Sequence, residues 1–187
     1  LFSNTQIENP NLMLEGMPNY RSGVDGLRVS NSTKGGITFA ASTTQNGIHM
    51  ITVVLGVEAV DGDPYARFVA TSSLMNYVVR TFVSSIVVKE GDPYGKSKAT
   101  IIDGKSETVL AVAKKDFYIV EKQGSQAEPK IQFKSNQESF LAPVKSGTNL
   151  GKLHYTDPDK IGRGYLEDQE PTVDMVAGRT IEKSFFL

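Results

Sequence analysis

Two runs decide the fold: Gly36-Ile37-Thr38-Phe39-Ala40-Ala41-Ser42-Thr43 and Ile48-His49-Met50-Ile51-Thr52-Val53-Val54-Leu55-Gly56, joined through Gln45-Asn46-Gly47. Both runs are rich in β-branched and aromatic residues, and Asn-Gly accepts the positive φ angles of a tight turn. The reading is a β-hairpin. The second run is apolar at both alternating sets, Ile51, Val53 and Leu55 against Met50 and Val54, so it is expected to be a central strand covered on both faces.

Downstream, Asp63-Pro64 has the form of a helix start, with a capping carboxylate before a proline at the first helical position. Tyr65, Phe68, Met75, Val78, Val79 and Phe82 then recur at helical spacing, with Arg67 and Asn76 between them. An amphipathic helix over 64–81 is expected to pack on the hairpin. Upstream, the first 35 residues are rich in Asn, Gly, Ser and Pro and show no sustained period, so they read as loop with at most one short strand and little core. After Ser84–Val88 the chain becomes short β-like runs at Ala99–Ile102, Thr108–Ala113, Phe117–Val120, Ile131–Phe133 and Val173–Val176. Asp103-Gly104, Gly124-Ser125, Ser146-Gly147 and Ala177-Gly178 punctuate them. Such spacing fits a small β-sandwich or barrel with its own core. Two domains, 1–85 and 86–187, are therefore expected, and the class is α+β.

Composition limits the chemistry. The 187 residues contain 20 Lys plus Arg, 21 Asp plus Glu and no Cys, for a net charge of −1. A charge so small and so dispersed gives no long-range attraction for nucleic acid or an acidic membrane. Without Cys there is no disulfide, thiolate nucleophile or Cys-ligated metal. His49 and His154 fall in different expected domains with no ligand pattern around them, so no metal site and no cofactor is expected. Asp61 and Asp63, like Asp157 and Asp159, flank Pro in turn contexts and read as caps. Lys114-Lys115-Asp116 and Glu121-Lys122-Gln123 read as solvated mixed-charge surface. No run is long and apolar enough to span a bilayer, and Leu1 to Thr5 lack the pattern of a signal peptide. A start at Leu is expected to mark a chain cut from something longer.

A longer pattern adds to this. Asn4-Thr5, Asn11-Leu12-Met13-Leu14, Tyr20-Arg21-Ser22-Gly23-Val24-Asp25-Gly26-Leu27 and Ala40 to Gly56 resemble the later part of the catalytic domain of serine D-alanyl-D-alanine carboxypeptidases, the low-molecular-mass penicillin-binding proteins. Asp63 to Phe68 and Leu74-Met75-Asn76-Tyr77 resemble the helix closing that domain. Phe140-Leu141-Ala142-Pro143-Val144, Gly151 and Val173 to Lys183 are similar to the β-rich C-terminal domain of the same family.

The resemblance implies a partial transpeptidase/β-lactamase-like domain, a hairpin with a packing helix, followed by a small all-β sandwich. It implies peptidoglycan stem peptide or a β-lactam as ligand, and acyl transfer through S-x-x-K, S-x-N and K-T-G motifs. No Ser here has Lys three residues on or Asn two residues on. No catalytic residue is therefore expected in this chain, and a catalytic half would have to lie upstream. Where K-T-G should follow Val24-Asp25-Gly26-Leu27, the chain reads Arg28-Val29-Ser30.

Arg28 keeps the charge with a larger planar head, Val29 loses a hydroxyl, and Ser30 adds a Cβ where glycine admits a ligand backbone. The backbone N–H of Asn31 falls where the resemblance puts the second oxyanion donor. The parent protein is expected outside the cell at the outer face of the cytoplasmic membrane, with membrane attachment only through a C-terminal anchor beyond this chain. The competing expectation is a non-catalytic binding or scaffold module of the envelope. An exposed apolar surface on the hairpin and helix is expected if the first domain is incomplete.

Overall fold

A computed structural model of the chain describes residues 8–58, 62–63, 65–157, 159–166 and 169–185. The described residues are mostly β-sheet with one helix. They divide into two compact units, Leu1–Val83 and Ser84–Leu187. Each unit has a hydrophobic cluster of its own.

The first unit holds a three-stranded antiparallel sheet ordered β1 (Val24–Ser32), β2 (Gly36–Gln45), β3 (Ile48–Val57). The expected hairpin is β2–β3. Its turn is Asn46-Gly47 at φ 52° and 74°, the two-residue geometry whose twist matches paired strands. Where only loop or a short strand was expected, β1 runs for nine residues. It escaped the hydrophobic pattern because a strand with a neighbour on one side needs few apolar residues, and only Val24 is buried and Val29 half-buried along it. The early segment also supplies core, against expectation: Met13 is fully buried, and Leu12 and Leu14 pack on the same cluster.

Helix α1 (Ala66–Thr81) lies on one face of this sheet, against β2 and β3. The Asp63 carboxylate accepts the Tyr65 N–H at 2.8 Å just before it, while Pro64, the expected first residue, lies outside the described residues. Phe68, Thr71 and Met75 form the buried stripe at intervals of three and four, and Phe68 meets Phe39 edge to face at 5.0 Å. On β3, Met50, Thr52 and Val54 point to the helix and are buried. The expectation that β3 is covered on both faces is corrected: Ile51, Val53 and Leu55 are 61%, 55% and 75% exposed. Among the described residues, β3 is an outer strand with the helix on one side only.

The second unit has a six-stranded sheet ordered β8 (Lys130–Ser135), β10 (Asn149–Thr156), β11 (Thr172–Ala177), β6 (Thr108–Ala113), β5 (Pro93–Ile102), β9 (Phe140–Leu141). All pairs are antiparallel except β5 with β9. A separate ribbon pairs β4 (Phe82–Val88) with β7 (Phe117–Lys122). The five expected β-runs all lie within strands. Their alternation separates core from solvent. Leu153, Tyr155, Val173, Met175, Val109 and Ala111 are buried, while Lys152, His154 and Asp174 point to the other face.

Most of β10 was hidden in the sequence because Gly151 interrupts its alternation. A Cβ at that position would overlap the Lys134 carbonyl and stand 2.8 Å from Ser135 Cα, so only glycine lets β8 approach here.

Tyr155 is almost completely buried, and that burial, followed by the charges of Asp157, Tyr165 and Glu121, pushes its phenol up to about 12. The folded state therefore favours the neutral phenol, a contribution present below pH 10 and lost as pH rises through about 12. Denaturant unfolding across this range should show wild-type stability falling on the order of 2–3 kcal/mol more than that of Tyr155→Phe. Parallel pH profiles for the two proteins would contradict this assignment.

Candidate functional site

Arg28, Val29, Ser30 and Asn31 lie in the middle and second half of β1, opposite Ala40, Phe39, Thr38 and Ile37 of β2. Alternation splits them between two faces. Arg28 and Ser30 are exposed on the face away from α1, in rows that include Ala40 and Thr38. Val29 points the other way and packs, half-buried, on the cluster that contains Phe39 and Val54. The triplet thus offers Arg28 and Ser30 to one side of the sheet, while the Val29 side chain serves the core.

What fixes this strand is polar. Arg67 is 5% exposed on α1 and spans the β1–β2 pair. Its Nη1 donates to the Ser30 carbonyl at 3.2 Å and the Thr38 carbonyl at 3.1 Å, and its Nη2 donates to Asn31 Oδ1 at 2.5 Å. The guanidinium also stands 5.9 Å from the Phe68 ring centre. No carboxylate pairs with it among the described residues. Burial pulls its pKa below the ordinary arginine value, yet a guanidinium remains charged throughout the working range of a protein. The sequence reading placed Arg67 among the polar residues between apolar ones. The available signal was its position one residue before Phe68 and four before Thr71, on the buried stripe.

Two further residues anchor the start of the strand. Buried Asn11 donates through Nδ2 to the Gly26 carbonyl at 3.3 Å and accepts the Met13 N–H at 3.0 Å. Arg21 donates to Asn76 Oδ1 at 2.7 Å on α1 and to Gln45 Oε1 at 2.9 Å at the hairpin turn. Gln45 returns a bond from Nε2 to the Ser22 carbonyl at 2.8 Å. The Ser42 hydroxyl meets the Asp25 carboxylate at the irregularity in the β1–β2 register.

His49 lies on β3 in the first unit and His154 on β10 in the second. Asp157 accepts the Asp159 N–H at 2.8 Å in a turn, while Asp61 lies outside the described residues.

A chain with a β-rich second unit following this strand–helix arrangement belongs to a recognisable class. Residues 82–183 match the family described as the penicillin-binding protein 5 C-terminal domain, and the chain belongs to that family.

Among similar proteins, a peptidoglycan synthesis regulatory factor (PBP3) from Streptococcus pneumoniae superposes with a TM-score of 0.87 at 45% identity, over 94% of this chain and 48% of that one. D-alanyl-D-alanine carboxypeptidase DacA of Haemophilus influenzae is 26% identical over 133 residues, 71% of this chain and 32% of its own length. Penicillin binding protein 5 from Haemophilus influenzae shares the fold, with a TM-score of 0.59 at 21% identity, over 86% of this chain and 43% of that one. The chain therefore spans about a third of the curated relative and less than half of these solved ones.

Replacing Arg67 with Met removes donors from three acceptors at once. Arg67→Met should destabilise the first unit by about 3 kcal/mol in denaturant unfolding. Arg28→Gln, on the open face, should stay within about 0.5 kcal/mol of wild type. Equal effects from the two substitutions would remove the anchoring role assigned to Arg67.

Proposed function

We propose that this chain is the C-terminal part of a serine-type D-alanyl-D-alanine carboxypeptidase-like protein acting in peptidoglycan maturation on the outer side of the cytoplasmic membrane. Residues 1–85 are read as the closing part of a transpeptidase-type domain and 86–187 as a β-sandwich domain. One observation carries the reading. The triplet Arg28-Val29-Ser30 sits on a terminal strand of its sheet, anchored by Arg67, in a chain aligned over 94% of its length with the pneumococcal PBP3 structure at 45% identity.

In this reading β1 is the strand along which a stem peptide or β-lactam would lie, with Arg28 and Ser30 facing it and the Asn31 N–H in the place of an oxyanion donor. Acyl transfer requires a serine whose proton is taken by a neighbouring base. None of the serines in this chain has the lysine spacing that supplies that base. The chain is accordingly read as inactive by itself, its nucleophile belonging to an upstream half.

The exposed strip of Ile51, Val53 and Leu55 supports an incomplete domain, since side chains of this size in a row are usually covered by protein. Val69 and Tyr77, 55% and 56% exposed on α1, form a second such surface.

A second reading, a non-catalytic envelope-binding or scaffold module, is favoured by the triplet itself. A ligand backbone pressed against β1 meets the Ser30 side chain where the family motif has glycine, and a bulky fork at Arg28 where it has lysine.

Two measurements test these readings. Fluorescent penicillin added to the purified chain should label no serine, and a labelled residue within 1–187 would overturn the inactivity. Writing Arg-Val-Ser in place of K-T-G in an acylating member of the family should slow its acylation by about 10- to 100-fold, the loss expected from unmade bonds to a substrate carboxylate. Unchanged acylation would mean that the altered triplet does not disable the cleft, and the scaffold reading would lose its support.

A further inference from the structure

The solvent face of the second unit's sheet carries two concave stretches that run together. One, of about 380 Å³, is lined by Lys114, Lys115, Lys152, Thr172 and Asp174. The next, of about 450 Å³, includes Lys152, His154, Lys160, Glu170 and Thr172. Sharing Lys152 and Thr172, they form one trough across β10 and β11.

The lining sets Lys114, Lys115, Lys152 and Lys160 against Asp174 and Glu170, a local positive excess in a chain whose net charge is −1. Lys134 on β8 lies directly opposite Lys152 on β10 in the antiparallel register, a like-charge pairing that costs stability. Two carboxylates offset part of this charge: Asp174 on β11 lies directly opposite Lys152 on its other side and 3.9 Å from Lys114 Nζ, and Glu170, which lines the second stretch, accepts the Thr156 hydroxyl at 2.8 Å. His154, between these groups, registers the result. Burial first, then Lys134 and Lys152, lower its pKa against the opposing pull of Glu170.

We propose that this trough binds an extended polyanion bearing repeated phosphate groups. The lining cations are lysines, whose compact ammonium groups bind phosphate as point charges, whereas planar carboxylates are best matched by arginine forks. The elongated shape, with ammonium groups at both ends and in the middle, suits a chain of charges better than a single ion. The lining has no aromatic or large exposed apolar side chain of the kind that seats a protein in a bilayer surface. A phosphate-bearing polymer therefore fits better than anionic lipid. The inference concerns the second unit alone and is independent of how β1 is read.

The test uses the whole chain and long-chain inorganic polyphosphate, with affinity measured over a range of salt. Binding should be present at low salt and weaken with a slope corresponding to release of about three counterions. Lys152→Gln and Lys114→Gln should each weaken binding about three- to ten-fold. Lys105→Gln, the same charge change in the turn between β5 and β6, should leave it unaltered. The His154 ring resonances should shift on saturation.

Three results would overturn the proposal: no binding at low salt, equal weakening by Lys152→Gln and Lys105→Gln, or tighter binding to phosphatidylglycerol vesicles than to polyphosphate. The second would reduce the attraction to net charge. The third would assign the trough to a membrane surface.

Discussion

A buried guanidinium without a carboxylate beside it, among the described residues, is the constraint on which the first unit's edge depends. Taking a charge out of water costs several kcal/mol, and that cost must be offset by hydrogen bonds made to the charged form. Arg67 makes them to two carbonyls from neighbouring strands and to the Asn31 side chain. One side chain from α1 thereby ties β1 to β2 as well as to the helix. Strand β1 needs such a tie because its apolar contribution is small, Val24 buried and Val29 half-buried. Asn11 and Arg21 do the same at its start, where the register with β2 is irregular.

The second unit is held differently. Its strands place Leu153, Tyr155, Val173, Met175, Val109 and Ala111 on one side, and dispersion and burial among these hold the sheet together. The solvent side is then free of stabilising duties. It carries Lys134 and Asp174 on either side of Lys152, one cross-strand repulsion beside one attraction. Where the first unit uses a cation as an internal brace, the second carries these lysines on its solvent face.

The sequence disclosed most of what depends on local pattern. The Asn46-Gly47 turn marked the hairpin, the spacing of Phe68 and Met75 marked α1, and alternation marked the runs at Thr108–Ala113 and Val173–Val176. Strand β1 was hidden because polar side chains and one neighbour suffice for an outer strand, and the first part of β10, ahead of the strand-like His154-Tyr155, because Gly151 breaks the alternation for the sake of close approach to β8. The face of β3 was misjudged because apolar residues on both sides specify a strand built for two covers, while the described residues provide one. For residues 28–31 the sequence carried no signal of orientation. Nothing local says that Val29 turns inward while Arg28 and Ser30 turn out, or that Arg67 belongs to the core.

That orientation separates two demands on the same three residues. On the inner face, Val29 contributes apolar surface to the cluster around Phe39 and Val54, so valine there is favourable to the fold whatever its effect on a ligand. On the outer face, Arg28 and Ser30 touch solvent and can differ from a lysine and a glycine with little consequence for stability. Replacing Arg67 or Asn11, by contrast, strands buried acceptors and is costly. The strand thus has a shape maintained by one set of interactions, from Arg67 and Asn11, and an outer surface set by another, at Arg28 and Ser30. On the proposed equivalence of 28–30 with the K-T-G triplet, this is the physical basis for reading those residues as an altered surface on an intact framework.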